Sequence, residues 1–336
     1  MSDREDNQAG VPDLSVVIVN WNTRADLNAC LRFLLQDTAI RIETIVVDNA
    51  SADGSADMVR AEFPHVQLVE NKDNLGFAKA ANQGIALSQG RYVFLLNPDT
   101  EVKPGALPAL VRFGDDNSDA GIFGPRILNS DGSLQYSCRR FPTLAAGLFR
   151  NTILGRFFPR NTYLMDYLMA LWDHSETRDV DWVSGAAMMI RRELLDDVGR
   201  LDERFYMYCE DVDFAYRARQ RDWRVAYYPG AVVVHARARS SDKDPNRMIV
   251  EFHKSMYRFF RKHYARKSSV FSRLVVPVGL FARAAFFISR NDYYHLRHLL
   301  AMKLRRSRKA CPHDRTADEE PCARGKCSET KGNRDS

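Results

Sequence analysis

The sequence predicts an α/β protein, built on a mostly parallel, doubly wound sheet with helices on both faces and followed by a helical, basic C-terminal arm. Three observations carry that expectation. Residues 14–19, Leu-Ser-Val-Val-Ile-Val, form an apolar, β-branched run of the kind found in strands buried on both faces. Stretches of helical periodicity separate this run from others like it, and such alternation implies parallel pairing. Between residues 252 and 310, fifteen Lys or Arg stand against one acid, Asp292, giving +14; against an overall +6 the remainder carries −8.

The first strand, 14–19, stops at Asn20-Trp21-Asn22-Thr23, and an amphipathic helix fits 25–35. A second buried strand at 43–47 ends on Asp48. A helix over 55–62, a short strand at 66–69 and a helix over 75–87 follow, the last rich in small residues for close packing. The run 92–96 is a fourth buried strand, and Asn97-Pro98-Asp99 ends it. Further on, 180–190 reads as a strand interrupted by Ser184-Gly185, 210–219 as a helix, 225–228 and 231–234 as short strands, and 246–263 as a helix. Residues 1–12 are expected to be a disordered leader, 13–245 the catalytic domain with an irregular, aromatic insertion or lid at 139–178, 246–310 the basic helical region, and 311–336 a disordered tail. The chain opens without an apolar secretory segment, so its body is expected to face the cytoplasm. Cys30, Cys138 and Cys209 lack framework spacing and read as reduced packing residues. Cys311, Cys322, Cys327 and His313 lack the paired spacing of a zinc site.

Polar residues cluster where strands end, and in doubly wound sheets ligands bind beyond the carboxyl ends of the strands. Asp48 begins Asp-Asn-Ala-Ser-Ala-Asp-Gly-Ser. Its carboxylate suits the imide N–H of a uracil or thymine, although a capped turn explains the segment too. Asn74-Leu75-Gly76 precedes a helix whose backbone N–H groups suit a ribose or phosphate, with a plain N-cap at Asn74 as the alternative. Asn97-Pro98-Asp99 offers oxygen ligands for Mg²⁺ or Mn²⁺ bridging substrate phosphates. A lone His235 after a strand is more often structural, but Asp99 at another strand end favours its reading as a metal ligand. The run Glu210-Asp211-Val212-Asp213 places three acids at a helix start, next to aromatic residues. Buried acids are costly unless paired, metal-bound or used, so the run marks a reaction centre, with a capped helix start as the alternative.

These stations, in this order, resemble the family 2 glycosyltransferases of the Rossmann-like GT-A fold, the bacterial rhamnosyltransferase type most closely. The likeness spans residues 14–235 and extends to about 264. It is carried by Ser15-Val16-Val17-Ile18-Val19-Asn20-Trp21-Asn22, Val47-Asp48-Asn49-Ala50-Ser51, Asn74-Leu75-Gly76-Phe77-Ala78, Leu96-Asn97-Pro98-Asp99-Thr100 and Glu210-Asp211. It implies an inverting transfer of a sugar, L-rhamnose as one candidate, from a dTDP- or UDP-sugar to a hydroxyl of a glycan or polyprenyl-diphosphate-linked acceptor. Asp211 is then the catalytic base. Donor-nucleotide contacts fall to Asn20, Asn22, Asp48, Asn74, Gly76 and Asn97, and acceptor or sugar contacts to Ser184, Gly185 and Glu210. Asp99 and His235 would hold the metal, with Asn97 standing where the family's motif has its first acid. The processive members' Gln-x-x-Arg-Trp string is replaced by Gln220-Arg221-Asp222-Trp223, so one sugar per encounter is expected.

The basic arm predicts an anionic membrane surface as partner and a place at the cytoplasmic face of the cell membrane. Within 270–288, eleven large aliphatic or Phe residues favour insertion by about 3–7 kcal/mol, while Arg273 and Arg283 oppose it by about 5–7 kcal/mol. An interfacial, tilted or hairpin segment is therefore expected, with a packed helical subdomain as the alternative. Nucleic acid is not an expected partner, because the aromatic residues form no reading module. A missing Gly-x-Gly-x-x-Gly after the first strand argues against a nicotinamide dinucleotide. Two other functions remain open: a non-catalytic nucleotide-sugar sensor on the same fold, and a sugar nucleotidyltransferase. No Gly-rich triphosphate loop follows the first strand to support the latter.

Overall fold

The computed structural model describes residues 10–36, 39–149, 153–158, 160–236 and 244–309. Two units are distinguished, Met1–Ile288 and Ser289–Ser336. Most of the expected leader lies outside the described residues, as does the expected tail with Cys311, His313, Cys322 and Cys327.

Strand and helix alternate at first as the periodicity predicts: β1 (Leu14–Asn20), α1 (Arg24–Leu34), β2 (Ile42–Asp48), α2 (Ser55–Glu62), β3 (Gln67–Glu70), α3 (Phe77–Leu87) and β4 (Tyr92–Leu96). These strands pair in parallel in the order β3-β2-β1-β4. Then come β5 (Thr100–Val102), α4 (Ala106–Asp116), β6 (Ala120–Leu128) and β7 (Cys138–Arg139). The segment expected to be irregular contains α5 (Leu144–Phe149), α6 (Ile153–Phe157) and α7 (Thr162–Leu168). After it follow β8 (Arg178–Asp179), β9 (Trp182–Val183), β10 (Ala187–Arg191), α8 (Arg192–Val198), α9 (Glu210–Arg219), β11 (Arg224–His235), α10 (Pro245–Phe259) and α11 (Val270–Lys309).

The sheet continues from β4 through β10, β6 and β11 to β5. β10 runs antiparallel to both its neighbours, and β11 antiparallel to β5, so the sheet is mixed at this end. The single interrupted strand expected over 180–190 is instead two strands in two sheets. β9 pairs with β7, whereas β10 enters the main sheet after Ser184-Gly185 turns the chain. Conversely, the two short strands expected at 225–228 and 231–234 are one strand. β11 absorbs Pro229-Gly230 as a register shift between Tyr228 and Val232.

Alternation along the strands divides the core between the two faces. Val16, Ile18, Val46 and Phe94 pack with Leu27 and Leu31 of α1. Val17, Ile45, Val47 and Leu95 pack with Ala81 of α3 and Phe214 of α9 on the other side. Each such side chain contributes about 1.5–3 kcal/mol on burial. Gly84 sets the separation of α3 from the sheet, because a Cβ there would lie 2.4 Å from Val17 Cγ1.

α10 passes into a π turn, Phe260–Tyr264, before α11 begins. α11 is one helix that runs through Pro277, so the hairpin considered for 270–288 is not formed. Its stretch Val270–Arg297 is long and apolar enough to cross a membrane, by length and composition.

Candidate active site

A cavity of about 1080 Å³ opens beyond the carboxyl ends of β1 and β4, in the unit Met1–Ile288. Parallel register puts Asn20 opposite Asp48 at the ends of β1 and β2. Asn20 Nδ2 donates to Asp48 Oδ1 at 2.8 Å, and the Ser51 amide donates to Asp48 Oδ2 at 2.9 Å. Asn22 Oδ1 accepts from the Ala52 amide at 2.7 Å, and Asn22 N donates to Ser51 Oγ at 2.8 Å. This network ties the two strand ends together. Asp48 is only 3% exposed, and neither it nor Asn20 or Asn22 lines the cavity. The neighbouring Asn49 does, together with Trp21.

Asn49 also connects this turn to the next. Its Nδ2 donates to Gly76 O at 3.1 Å, and its Oδ1 accepts from Asn71 Nδ2 at 2.9 Å. The cap of α3 differs from the plain Asn74 N-cap: Gly76 is the cap residue, and Asn74 Oδ1 accepts from Gly76 N at 3.0 Å. The first helical amide, Phe77 N–H, donates to Tyr206 O at 2.7 Å instead of pointing at a ligand. Gly76 has φ +84, and a Cβ on it would stand 2.3 Å from Tyr206 O. Only glycine lets the loop before the acid run come so close.

A second corner is built where β4 meets β10 and β5 meets β11. Asn97 N donates to Ala186 O at 2.9 Å, which holds Ser184 and Gly185 beside the end of β4. His235 pairs with Thr100 across β11 and β5, and Ala236 N donates to Asp99 O at 2.9 Å. His235 Nε2 therefore lies 3.2 Å from Asp99 Oδ1 and 3.2 Å from Asn97 Nδ2. On the far side of the ring, His235 Nδ1 is 2.8 Å from Gln135 Oε1. Gln135 commits its amide nitrogen to Asn129 Oδ1 and to the His235 carbonyl, so its oxygen accepts the Nδ1 proton. In the neutral ring this leaves the Nε2 lone pair directed toward Asp99, the tautomer that such outer partners impose on metal-binding histidines.

The donor set fits a divalent cation that keeps most of its coordination for substrate and water. Asp99 and His235 would be its protein ligands. Among the described residues no group of three or more His, Cys, Asp or Glu is arranged to hold a metal alone.

The acid run forms the opposite part of the lining. Tyr208 (φ 69) and Cys209 (φ 64) are consecutive left-handed residues immediately before α9. A non-glycine residue there is strained, and such strain gathers at functional sites. Asp211 Oδ2 accepts from Gly185 N at 3.1 Å and Oδ1 from Val212 N at 2.8 Å. Burial raises its proton affinity, while these two amides and the charge of Arg139 pull it back. Glu210 is 7% exposed, and its Oε2 has no hydrogen-bond partner among the described residues. Burial, reinforced by the charge of Asp211, pushes its pKa well above the usual carboxylate range. Both carboxyls of the pair therefore hold a proton more readily than a free carboxylate, Glu210 by the wider margin because the charge of Asp211 adds to its burial, whereas Gly185, Val212 and Arg139 offset that of Asp211.

Asp213 turns the other way. It is fully buried, bonded to Arg217 Nε at 2.9 Å, Lys262 Nζ at 2.6 Å and His263 Nε2 at 2.7 Å. Burial alone would raise its pKa, but His263 and Lys262 outweigh that and hold it below the ordinary value.

Of the residues singled out in the sequence, Asn74, Gly76, Asn97, Asp99 and His235 line the cavity, as do Ser184, Gly185, Glu210 and Asp211. Sequence reasoning missed Trp21, Asn49 and Arg139, which also line the cavity, and Gln135, which holds His235. Asn49 was within a quoted motif without a role of its own, whereas Gln135 and Arg139 sit in no recognisable pattern.

A family model described as "Glycosyl transferase family 2" matches residues 15–199. The N-acetylglucosaminyl-diphospho-decaprenol L-rhamnosyltransferase of Mycobacterium tuberculosis, strain H37Rv, is 34% identical over 263 residues, 75% of this chain and 85% of that protein. The low-salt glycan biosynthesis hexosyltransferase Agl10 of Haloferax volcanii is 26% identical over 272 residues, 80% of each chain. A solved structure of GalNAc-T7 with UDP, GalNAc and Mn²⁺ aligns with a TM-score of 0.49 and 16% identity, over 68% of this chain and 44% of that one.

Proposed function

Since the chain belongs to glycosyl transferase family 2, we propose that it moves a sugar, L-rhamnose being the first candidate, from a dTDP- or UDP-sugar to a hydroxyl of a polyprenyl-diphosphate-linked glycan. That it is a glycosyltransferase of the GT-A fold follows from the family. The rhamnosyl group and the polyprenyl-diphosphate-linked acceptor follow the mycobacterial relative's name, and the dTDP or UDP carrier follows the family resemblance of the sequence motifs. The observation that carries the chemical reading is the placement of Asp211. Its carboxylate is held by two backbone amides, in the same cavity as the Asp99–His235 pair.

Asp211 accepts the proton of the acceptor hydroxyl as that oxygen attacks the anomeric carbon from the face opposite the nucleotide, so configuration inverts. Glu210, whose pKa is raised further than that of Asp211, holds the proton of the pair more readily and in that form offers a donor to the sugar. Asn49, Asn74 and Trp21 receive the nucleoside. Asn20, Asn22 and Asp48 act on it through the turn they hold, since they do not reach the cavity. Asp99 and His235 would hold Mg²⁺ or Mn²⁺. When bound, the cation offsets the charge that builds on the departing diphosphate.

Asp211→Asn tests this directly. Nucleotide-sugar affinity should stay within about twofold of the parent while turnover falls at least about 100-fold. Turnover near the parent value would remove Asp211 as the base. A parent protein that binds nucleotide sugars and transfers none would instead be the sensor.

A further inference from the structure

The cavity exceeds the roughly 300–1000 Å³ usual for a single small ligand, and one side of it has no role in the chemistry above. That side is apolar and is made by two helices. α10 contributes Met248, Phe252, Met256 and Phe259, spaced to lie on one helical face. α11 contributes Val275, Val276, Gly279, Leu280 and Arg283, again on one face. The wall begins at the acid loop, because Ser255 Oγ donates to Met207 O at 2.9 Å and Tyr208 packs edge-on against Phe252.

Two cations accompany this apolar wall. Arg247 Nη2 donates to Tyr206 OH at 3.0 Å, with its guanidinium over the same ring. Arg283 lies on the cavity face of α11, with Nη1 3.9 Å from Met256 Sδ and its guanidinium stacked on Phe287. An arginine within a helix of membrane-spanning composition is a functional-site signal. The opposite face of α11 is apolar too: Leu274, Val278 and Phe281 are 65%, 68% and 77% exposed. A helix apolar on both faces is suited to lipid surroundings.

We propose that this wall is the subsite for the acceptor's lipid. The first isoprene units of a polyprenyl diphosphate lie on Phe252, Met256, Val276 and Leu280, and its diphosphate is met by Arg247 and Arg283. The occupant follows from the match of shape and charge. An apolar groove lined by two guanidinium groups complements a diphosphate attached to a hydrocarbon chain. The groove is also continuous with a helix whose outer face is suited to the bilayer in which such a chain would reside. This inference rests on the acceptor class proposed above.

Gly279 provides a probe, because a Cβ there meets nothing within 4 Å. Gly279→Leu therefore adds an apolar plug to the groove without a clash and with better helix propensity. The experiment measures binding of farnesyl diphosphate and of inorganic diphosphate to the full chain in phosphatidylcholine nanodiscs, with empty nanodiscs as the blank. The parent should bind farnesyl diphosphate at least tenfold more tightly than inorganic diphosphate. Gly279→Leu should lose at least tenfold for farnesyl diphosphate only, Arg283→Gln should weaken both, and Leu274→Ala on the outer face should change neither. Nucleotide binding by the same samples reports that the variants are folded. Equal affinity of the parent for the two probes, unchanged binding by Gly279→Leu, or an equal loss in Leu274→Ala would each overturn the proposal. Failure of the parent to bind any nucleotide sugar would instead strike the proposed function, so the two failures are distinguishable.

Discussion

Glu210 and Asp211 are neighbours in sequence with different surroundings. Asp211 was legible from sequence because an acid run at a helix start, after aromatic residues, has few inexpensive explanations. Which acid holds its proton more tightly was not legible, because that depends on the Gly185 amide, 26 residues away. The same limit applies to Asp48 and Asn49. Ala50 takes φ 62 and turns the loop so that Asn49, not Asp48, lines the cavity. Gln135 orients a histidine 100 residues distant, with no local pattern to reveal it. The raised pKa of Glu210 has a testable consequence for stability. Its folded form holds the proton more tightly than the unfolded chain, so its contribution is full below about pH 4.3 and is lost as pH rises through the folded pKa. Glu210→Gln should therefore melt progressively higher than the parent as pH is raised from 5 to 8. A melting difference that does not change with pH would contradict the raised pKa of Glu210.

At the scale of elements, the β1–β4 half was readable because its strands are buried on both faces and its helices have clean apolar stripes. β6 was not, since Gly121, Gly124 and Pro125 disguise it as loop. The antiparallel entry of β10 depends on a turn whose partner strands are distant in sequence. Nor did periodicity show that the π turn at Phe260–Tyr264 brings both Lys262 and His263 to Asp213. π turns recur at functional sites, and this one fastens the start of the C-terminal helices to α9. Asp213→Asn should cost about 3–5 kcal/mol, the usual consequence of breaking a buried ion pair. The lowered pKa means that the carboxylate stabilises the fold above its unfolded value near 3.9, and that this is lost as pH falls through the lower folded pKa. The melting loss should thus be large at pH 7 and shrink toward pH 3. Amide exchange should quicken at 259–264, and unchanged exchange there would refute the fastening role. Gly76→Ala tests another junction. The clash with Tyr206 O and the left-handed backbone should displace the acid loop, lowering turnover more than nucleotide affinity. A variant indistinguishable from the parent would show that the close approach is dispensable.

Across the whole molecule, charge is segregated between an acidic catalytic body and a basic C-terminal stretch that carries +14. The segregation was legible in composition, whereas the single long helix was not: Pro277 and two arginines argued for interruption, yet α11 continues through them. Lys303, Arg305, Arg306 and Arg308 lie on its last turns. Near an anionic surface each basic residue contributes about 1 kcal/mol. Changing all four to Gln should weaken binding to phosphatidylglycerol vesicles by roughly 10³-fold while leaving nucleotide binding intact; undiminished vesicle binding would clear this end of the helix of that duty. The account depends above all on a nucleotide sugar being held through Asp99, His235 and a divalent cation. The most direct measurement is a thermal-shift panel of dTDP- and UDP-sugars, run with Mg²⁺, with Mn²⁺ and with chelator. At saturating ligand, one donor should raise Tm by about 5–10 °C, and the gain should vanish with chelator and in Asp99→Ala. No shift with any donor, or an equal shift with and without metal, would contradict it.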